Sequence, residues 1–429
     1  MTIVILLALL FAGLATGIEI IFALGIASLG ALLFAGNIPL EAIPHRIIGG
    51  TDSFSLLSIP LFLMMGSLME AGGITDRLLR FFDTIVGRFR GGLALANVGI
   101  SIFFAGISGS STADATSIGS ILIPAMKKEK YDGTFSAAVT AAGASLGPII
   151  PPSVIMIIYG IMTGVSILRL FLSGVVPGLV CGIGFLLVVY RYSVKRGYPK
   201  HPKVPLREIA GAGRKAIAVL VLPFIILVGV VGGMFTITES AGIAALYALA
   251  LTLWYGELSG PKLWRSTVLS ARGTAVVIFL VAVSNLFAWV FTMAQGPTVV
   301  LTFIRGLSEN NSLIILFMNL YLLLIGMFIA PFAALVISVP FLVPLGTSIG
   351  MDPLQLGLMT VFNLNLGSLT PPVAVVLNLT AKMAGVSTAA AFKDTWPFFL
   401  IMVGVLILIA YWPPFTTFFP DWVLGVGVQ

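Results

Sequence analysis

The sequence predicts an all-α polytopic membrane protein built from two inverted-topology copies of one unit. Three observations carry this. Hydrophobic residues make up 59% of the 429 positions and charged residues only 9%, with a mean hydropathy of +1.12, whereas soluble domains carry about 25% charged residues. A set of residues recurs at a constant displacement of 220 positions. The loop charges then differ between the copies in the way that opposite membrane orientations require.

Continuous apolar runs of about 20 residues suit spanning helices and lack the alternation of barrel strands. The repeat is plainest at the paired prolines. Gly147-Pro148-Ile149-Ile150-Pro151-Pro152 returns as Gly367-Ser368-Leu369-Thr370-Pro371-Pro372. The same displacement links Gly13, Thr16 and Glu19 to Gly233, Thr236 and Glu239, Gly106 to Gly326, Asp132 to Asp352 and Pro177 to Pro397. Matching helix breaks in paired units point to a transporter whose site lies between them.

Residues 1–192 form the first copy, 193–213 a basic cytoplasmic linker with interfacial character, and 214–429 the second copy. Each copy is expected to hold about five crossing helices and one re-entrant hairpin, the hairpins near 91–127 and 312–349. Arms of about 15 residues would reach only about 22 Å, short of a hydrocarbon core of about 30 Å. Arg77, Arg80, Arg88, Arg90, Lys127, Lys128 and Lys130 flank the first hairpin, but only Arg305 flanks the second. Basic flanks belong inside, so the hairpins enter from opposite faces. The stretch before Glu19 has no Lys or Arg and is expected to be a retained first helix starting outside. Stretches 75–90 and 258–272 mix Arg with Leu, Phe and Trp at helical spacing and are expected to lie at the interface.

Several function classes drop out. The net charge of +7 sits in short loops and speaks for the cytoplasmic leaflet, with no call for nucleic acid. Cys181 is alone, which excludes disulfides and thiolate metal clusters within the chain. His45 and His201 are far apart in sequence and are expected to be solvated loop positions. No phosphate-binding loop, Gly-x-Ser-x-Gly or His-Glu-x-x-His occurs, so the chain is not expected to be an enzyme.

A helix broken at mid-membrane leaves carbonyls and N–H groups that only protein, water or an ion can take up. Carbonyl and hydroxyl oxygens at half-helix ends suit Na+, and half-helix N-termini suit an anionic substrate. The first candidate cage combines Ser108, Ser110, Ser111 and Thr112 at the hairpin tip with Gly143, Ser145 and Gly147 before the first break. The second combines Ala330 and Ala333 with Asn363, Asn365, Gly367 and Thr370. Small residues at these places also serve close helix packing. Asp114 lies in the first tip; Ser111-Thr112-Ala113-Asp114 has capping-box spacing, so it is expected to cap the returning half-helix while supporting the cation. Ser110, Thr112, Asp114, Asn365 and Thr370 are the substrate candidates. No Arg in this core can clamp a carboxylate, which leaves dicarboxylates, sugar acids and keto acids open.

Beginning at Gly106, the run GISGSSTADATSIGSILIPAMKKEKYDGTFSAAVTAAGASLGPIIPPSVIMIIYG strongly resembles the large membrane subunit of tripartite ATP-independent periplasmic (TRAP) transporters. The segments NLNLGSLTPP (Asn363–Pro372) and GMFTITESA (Gly233–Ala241) are similar to that family's corresponding segments. The resemblance covers essentially the whole chain. It implies a bacterial inner-membrane location and Na+-driven uptake of a small organic acid. It also implies a periplasmic binding protein that hands over the substrate and a small membrane subunit that braces this one. Hairpins and broken helices would form a transport domain moving elevator-fashion past a scaffold, with Ser108–Thr112 and Asn363–Thr370 as ion and substrate positions. The alternative is a stand-alone Na+/dicarboxylate carrier of the same architecture.

Overall fold

The computed structural model describes every residue except 37, 38, 40 and 426–429, and the described residues are helical with no strand. The first half runs α1 (Thr2–Ala15), α2 (Ile20–Ala35), α3 (Ala42–Gly49), a 3-10 turn leading into α4 (Ser58–Ala71), α5 (Ile74–Val86), α6 (Gly92–Ser108), α7 (Ser111–Lys128), α8 (Gly133–Ala144), α9 (Val154–Thr163) and α10 (Ile167–Arg196). The second half follows with α11 (Leu206–Leu220), α12 (Leu222–Val231), α13 (Ile237–Trp254), α14 (Gly260–Met293), α15 (Gly296–Leu307), α16 (Asn311–Phe328), α17 (Pro331–Ser348), α18 (Pro353–Gly367), α19 (Val375–Ala384), α20 (Thr388–Tyr411) and α21 (Pro414–Leu424).

Helix boundaries keep the displacement of 220. α7 begins at Ser111 and α17 at Pro331, while α8 begins at Gly133 and α18 at Pro353. The peptide bonds Pro151–Pro152 and Pro371–Pro372 are both cis. Chemistry at equivalent caps has nevertheless diverged. Asp352 accepts the N–H groups of Leu354 (2.7 Å) and Gln355 (3.3 Å) at the start of α18, a side-chain N-cap. Asp132, at the equivalent place, turns to Arg196 (3.0 Å) and to the Tyr198 hydroxyl (2.8 Å) instead. Thr236 and Glu239 form a capping box at α13, but Glu19 makes no cap bond at α2.

By length and composition, seven of the described helices can cross a membrane, or eight if α11 and α12, bent by 42°, are one span. Two of the seven, α16 and α17, are the arms of the second hairpin; the expected ten or so crossings are reached by setting these aside, counting α11–α12 as one span, and adding the shorter apolar helices α1 and α2 and the broken pairs α8–α9 and α18–α19. The hairpin arms are 17 and 18 residues for α6 and α7, and 18 each for α16 and α17. They therefore reach about 26 Å, longer than expected, so the polar tip of the first pair and the matching break before Pro331, rather than short arms, argue for re-entry. The stretch 258–272 is not a separate interfacial helix. It is the first part of α14, which runs 34 residues without a stop, because Gly273 alone does not end a helix of otherwise good formers. The expected interfacial helix at 75–90 is α5, ending at Val86, with a polar face of Asp76, Arg77, Arg80 and Asp83.

The interior is α8 and α18. Every residue from Phe135 to Ala144 and from Leu354 to Gly367 is buried. Helices hydrophobic all round belong in an interior, and the small residues of α8 let backbones approach closely. α6, α7, α19 and α20 pack around α8, and α16, α17 and α20 around α18. Lys127 donates to the Ala384 carbonyl at 2.9 Å, which ties the end of the first helix pair to the end of α19. Arg196 pairs with Asp394, whose other side accepts the Thr134 hydroxyl at 2.7 Å. This joins the ends of α10, α8 and α20.

Candidate functional site

Both breaks are held by glycines with no room for a side chain. At the first tip, Gly109 adopts φ +61°, and a Cβ there would stand 2.7 Å from the Pro152 carbonyl oxygen. The left-handed conformation is open to glycine at no steric cost, so the turn between α6 and α7 lies directly on the paired prolines. At the second break, a Cβ on Gly367 would stand 2.6 Å from the Gly326 carbonyl carbon. Here α16 and the end of α18 meet backbone to backbone.

Of the first candidate group, the hairpin-tip residues Ser108–Thr112 lie together with Gly147. The Ser108 hydroxyl accepts the Ser110 N–H at 3.1 Å and donates to Asp114 Oδ1. Ser110 and Thr112 hydroxyls lie 3.2 Å apart, and both residues are half-buried beside the buried Ser111. Asp114 is fully buried and its Oδ2 has no hydrogen-bond partner. A Cβ on Gly147 would stand 2.6 Å from that oxygen, so the carboxylate faces the first break. Asp114 does not cap α7. Ser110 is the N-cap residue and makes no side-chain cap bond; the chain places Asp114 on the fourth helical position, from which it reaches back to Ser108. The hydroxyl across the turn outcompetes the helix end.

Gly143 and Ser145, at the end of α8 before the break, have other partners. A Cβ on Gly143 would stand 2.4 Å from the Ser101 hydroxyl. The Ser145 hydroxyl donates to the Ala142 carbonyl at 2.6 Å, and its own carbonyl accepts a hydrogen bond from Asn365 Nδ2. Ser145 and Asn365 are displaced by 220, so equivalent positions of the two copies touch.

In the second cluster, Asn363 Nδ2 donates to the Asn319 carbonyl (2.9 Å) and side-chain oxygen (2.8 Å). Asn363 Oδ1 and Asn365 Oδ1 are buried without partners. The Thr370 hydroxyl donates to the Leu366 carbonyl at 3.0 Å. Ala330 precedes Pro331, which opens α17 as expected. Ala330 is exposed, however, and with Ala333 it lines a cleft against Phe11, Leu14 and Ile20. Asn97 and Asn319 were not among the expected site residues. Asn97 donates to the Thr140 hydroxyl at 2.8 Å while its Oδ1 has no partner. A lone amide within an apolar run (LALANVGI, LFMNLYLL) was the available signal, since polar groups at membrane depth need partners. Beyond the breaks, a cleft of about 470 Å³ lies between α9, α14 and α17, with Asp52, Ser53, Thr163, Asn285 and Thr292 on its walls.

The family described as "Tripartite ATP-independent periplasmic transporter, DctM component" matches residues 7–415. The chain belongs to it. This TRAP component is 36% identical to the sialic acid TRAP transporter large permease protein SiaM of Vibrio cholerae, over 98% of each chain. It is 34% identical to the C4-dicarboxylate TRAP transporter large permease protein DctM of Pseudomonas aeruginosa, over 93% of each. The isethionate TRAP transporter permease protein DctMQ of Oleidesulfovibrio alaskensis is 36% identical over 95% of this chain and 64% of its own length. Among solved structures, the YdaH transporter of Alcanivorax borkumensis shares the fold, with a TM-score of 0.60 and 14% identity over 88% of this chain and 89% of its own. The TRAP component is thus a multi-pass bacterial inner-membrane protein and a transporter subunit, not an enzyme.

One expectation follows from the contact between copies. Asn365→Ala removes the donor to the Ser145 carbonyl and leaves that buried oxygen unpaired, a loss of about 1–3 kcal/mol. A melting midpoint several degrees lower in the purified subunit would show it, and an unchanged midpoint would count against the contact.

Proposed function

We propose that this chain carries a small organic acid inward together with Na+, by an elevator movement, after delivery by a periplasmic substrate-binding protein. A small membrane subunit braces it. One observation carries the ion part: Asp114 Oδ2, Asn363 Oδ1 and Asn365 Oδ1 are buried oxygens without partners in or beside the broken segments. Buried polar groups are normally paired, and unpaired oxygens beside unwound backbone suit a hard cation. The loop charges support opposite orientation of the two copies, with the ends of α7 and α10 inside. The cleft walled by Thr163, Asn285 and Thr292 supports a route from the outer side.

The named substrates of the relatives include sialic acid, a C4-dicarboxylate and isethionate. Two are carboxylates and isethionate is a sulfonate, so the shared chemistry is a small organic anion; the carboxylate reading rests on the first two. Helix ends, hydroxyls and amides would then recognise it, without an Arg clamp.

The test is uptake in proteoliposomes. With both partners present, an inward Na+ gradient should drive uptake and an equal K+ gradient should not. Uptake by this chain alone would favour the stand-alone Na+/dicarboxylate carrier. Ser110→Ala with Thr112→Ala should raise the Na+ concentration for half-maximal uptake by about 3–10-fold, the two lost oxygen contacts together being worth about 1 kcal/mol. An unchanged Na+ dependence would remove the first cage from this reading.

A further inference from the structure

His201 is not the solvated loop residue that the sequence suggests. It lies in the linker between α10 and α11, and that linker runs beside the short segment joining α5 to α6. Gly91 N–H donates to the Pro199 carbonyl at 3.0 Å, and His201 N–H donates to the Gly87 carbonyl at 2.8 Å. Residues 87–91 include Gly87 and Gly91, the latter at φ +77°, and are the only covalent path from the interfacial α5 into the α6–α7 pair. A Cβ on Gly87 would stand 3.0 Å from Asp83 Oδ1 and 3.3 Å from His201 Nδ1, so the glycine is what lets the ring settle there.

The ring holds two carboxylates from different elements. Nδ1 lies 3.2 Å from Asp83 Oδ1 on α5, and Nε2 lies 3.0 Å from Glu129 Oε1 at the end of α7. Ionised carboxylates only accept hydrogen bonds, and a neutral imidazole has one donor and one acceptor nitrogen. A neutral ring can therefore serve one carboxylate and must turn a lone pair toward the other. Only the protonated ring donates to both. The carboxylates occupy opposite ring nitrogens, a geometry that bridges two elements and does not chelate an ion; among the described residues no such cluster forms a metal site.

We propose that His201 is a proton-operated latch on the cytoplasmic face, which ties α5 to the end of the α6–α7 pair when protonated and frees the joint at 87–91 when neutral. Its regulatory meaning rests on the reading that this helix pair moves relative to α5. The charged groups facing the ring are Asp83 from α5 and Glu129 from the end of α7. Arg88 and Arg90 of the joint, Lys200 and Lys203 of the linker, and Lys128 and Lys130 beside Glu129 share these loops, and Arg80 lies one turn before Asp83. The tilted rings of Tyr131 and Tyr198 lie 4.4 Å apart, centroid to centroid, beyond Glu129. All three latch side chains are about one-third exposed, so protons reach them.

Partial burial lowers the tendency of His201 to protonate, but the Asp83 and Glu129 charges outweigh it and raise its pKa above the ordinary value. The sign follows. With the folded pKa above the unfolded one, the latch contributes fully below the ordinary histidine range and is lost as pH rises through the folded value. Acidification of the cytoplasm closes it.

The experiment uses the complete transporter in liposomes, with external pH fixed and internal pH varied from about 6 to about 8.5 to span histidine titration. Hydrogen exchange of residues 87–91 is read beside the initial uptake rate. In the unaltered protein, protection of 87–91 should fall about 10-fold or more as internal pH rises, and uptake should climb several-fold. His201→Gln should give low protection at every pH and no climb. Glu129→Gln supplies an amide that can donate to a neutral ring, so protection should stay high throughout. A pH slope that survives in His201→Gln, or that persists in Glu129→Gln, overturns the latch. Should the exchange pattern hold while no Na+-driven uptake is found, the latch stands and the transport reading falls. Because exchange is read on the folded variant, Glu129→Gln keeps the test open if His201→Gln does not fold.

Discussion

Asp114→Asn is expected to raise the Na+ concentration for half-maximal uptake by at least about 10-fold, equivalent to about 1.4 kcal/mol of cation binding. The substitution keeps the size of the side chain and leaves an oxygen to accept from Ser108. It removes only the charge. Asp114 is fully buried, pairs with no cationic side chain among the described residues, and has one oxygen without a partner facing Gly147. A carboxylate buried without a counter-charge costs several kcal/mol, so a bound cation is the partner that would stabilise it. Without Na+ the variant should therefore melt no lower than the unaltered subunit, and its stabilisation by added Na+ should shrink. Identical Na+ titrations for the two proteins would reduce Asp114 to a holder of Ser108.

Gly367→Ala is expected to be the most damaging single methyl in the second half. The new Cβ would lie 2.6 Å, 2.7 Å and 3.0 Å from the carbonyl carbon, Cα and carbonyl oxygen of Gly326. All three are backbone atoms, so no rotamer change relieves the collision, and overpacking of this kind costs about 1–3 kcal/mol or more. Poor recovery of folded subunit, or a melting midpoint lower by several degrees, should accompany at least a 10-fold loss of uptake, the scale of about 1.4 kcal/mol. Gly326→Ala meets the Leu364 carbonyl at 2.9 Å and should be slightly milder. Gly404→Ala, which meets nothing within 4 Å, is the control and should behave as the unaltered protein. A Gly367→Ala subunit as stable as this control would mean that α16 and α18 do not meet as described.

What the sequence made legible was what depends on local pattern. Paired prolines, the polar first tip in its apolar run and basic loops marked the breaks, the two helix pairs and the family, and α5 announced itself by Arg mixed with Leu and Phe at helical spacing. Failures came where a distant partner or an absent stop decided the outcome. The stretch 258–272 looked interfacial because its charges resemble those of α5, yet nothing between Lys262 and Met293 ends a helix. Asp114 carried capping-box spacing, but Ser108 across the turn was the better partner, and no spacing rule reports a competitor on another helix. Ala330 matched Ser110 by displacement while lacking its hydroxyl, and the structure turns it outward. His201 seemed isolated because Asp83 and Glu129 lie far away in sequence.

The bond from Asn365 to the Ser145 carbonyl joins a position to its own counterpart. In a dimer of identical chains, any substitution at such a place would appear on both sides at once, and an amide could never face a serine. A single chain carries no such restriction: Ser145 is a small hydroxyl residue and Asn365, 220 positions on, an amide. Change at the two positions is nonetheless coupled, because each residue is part of the other's surroundings. A history of change at either position should therefore be a history of the pair.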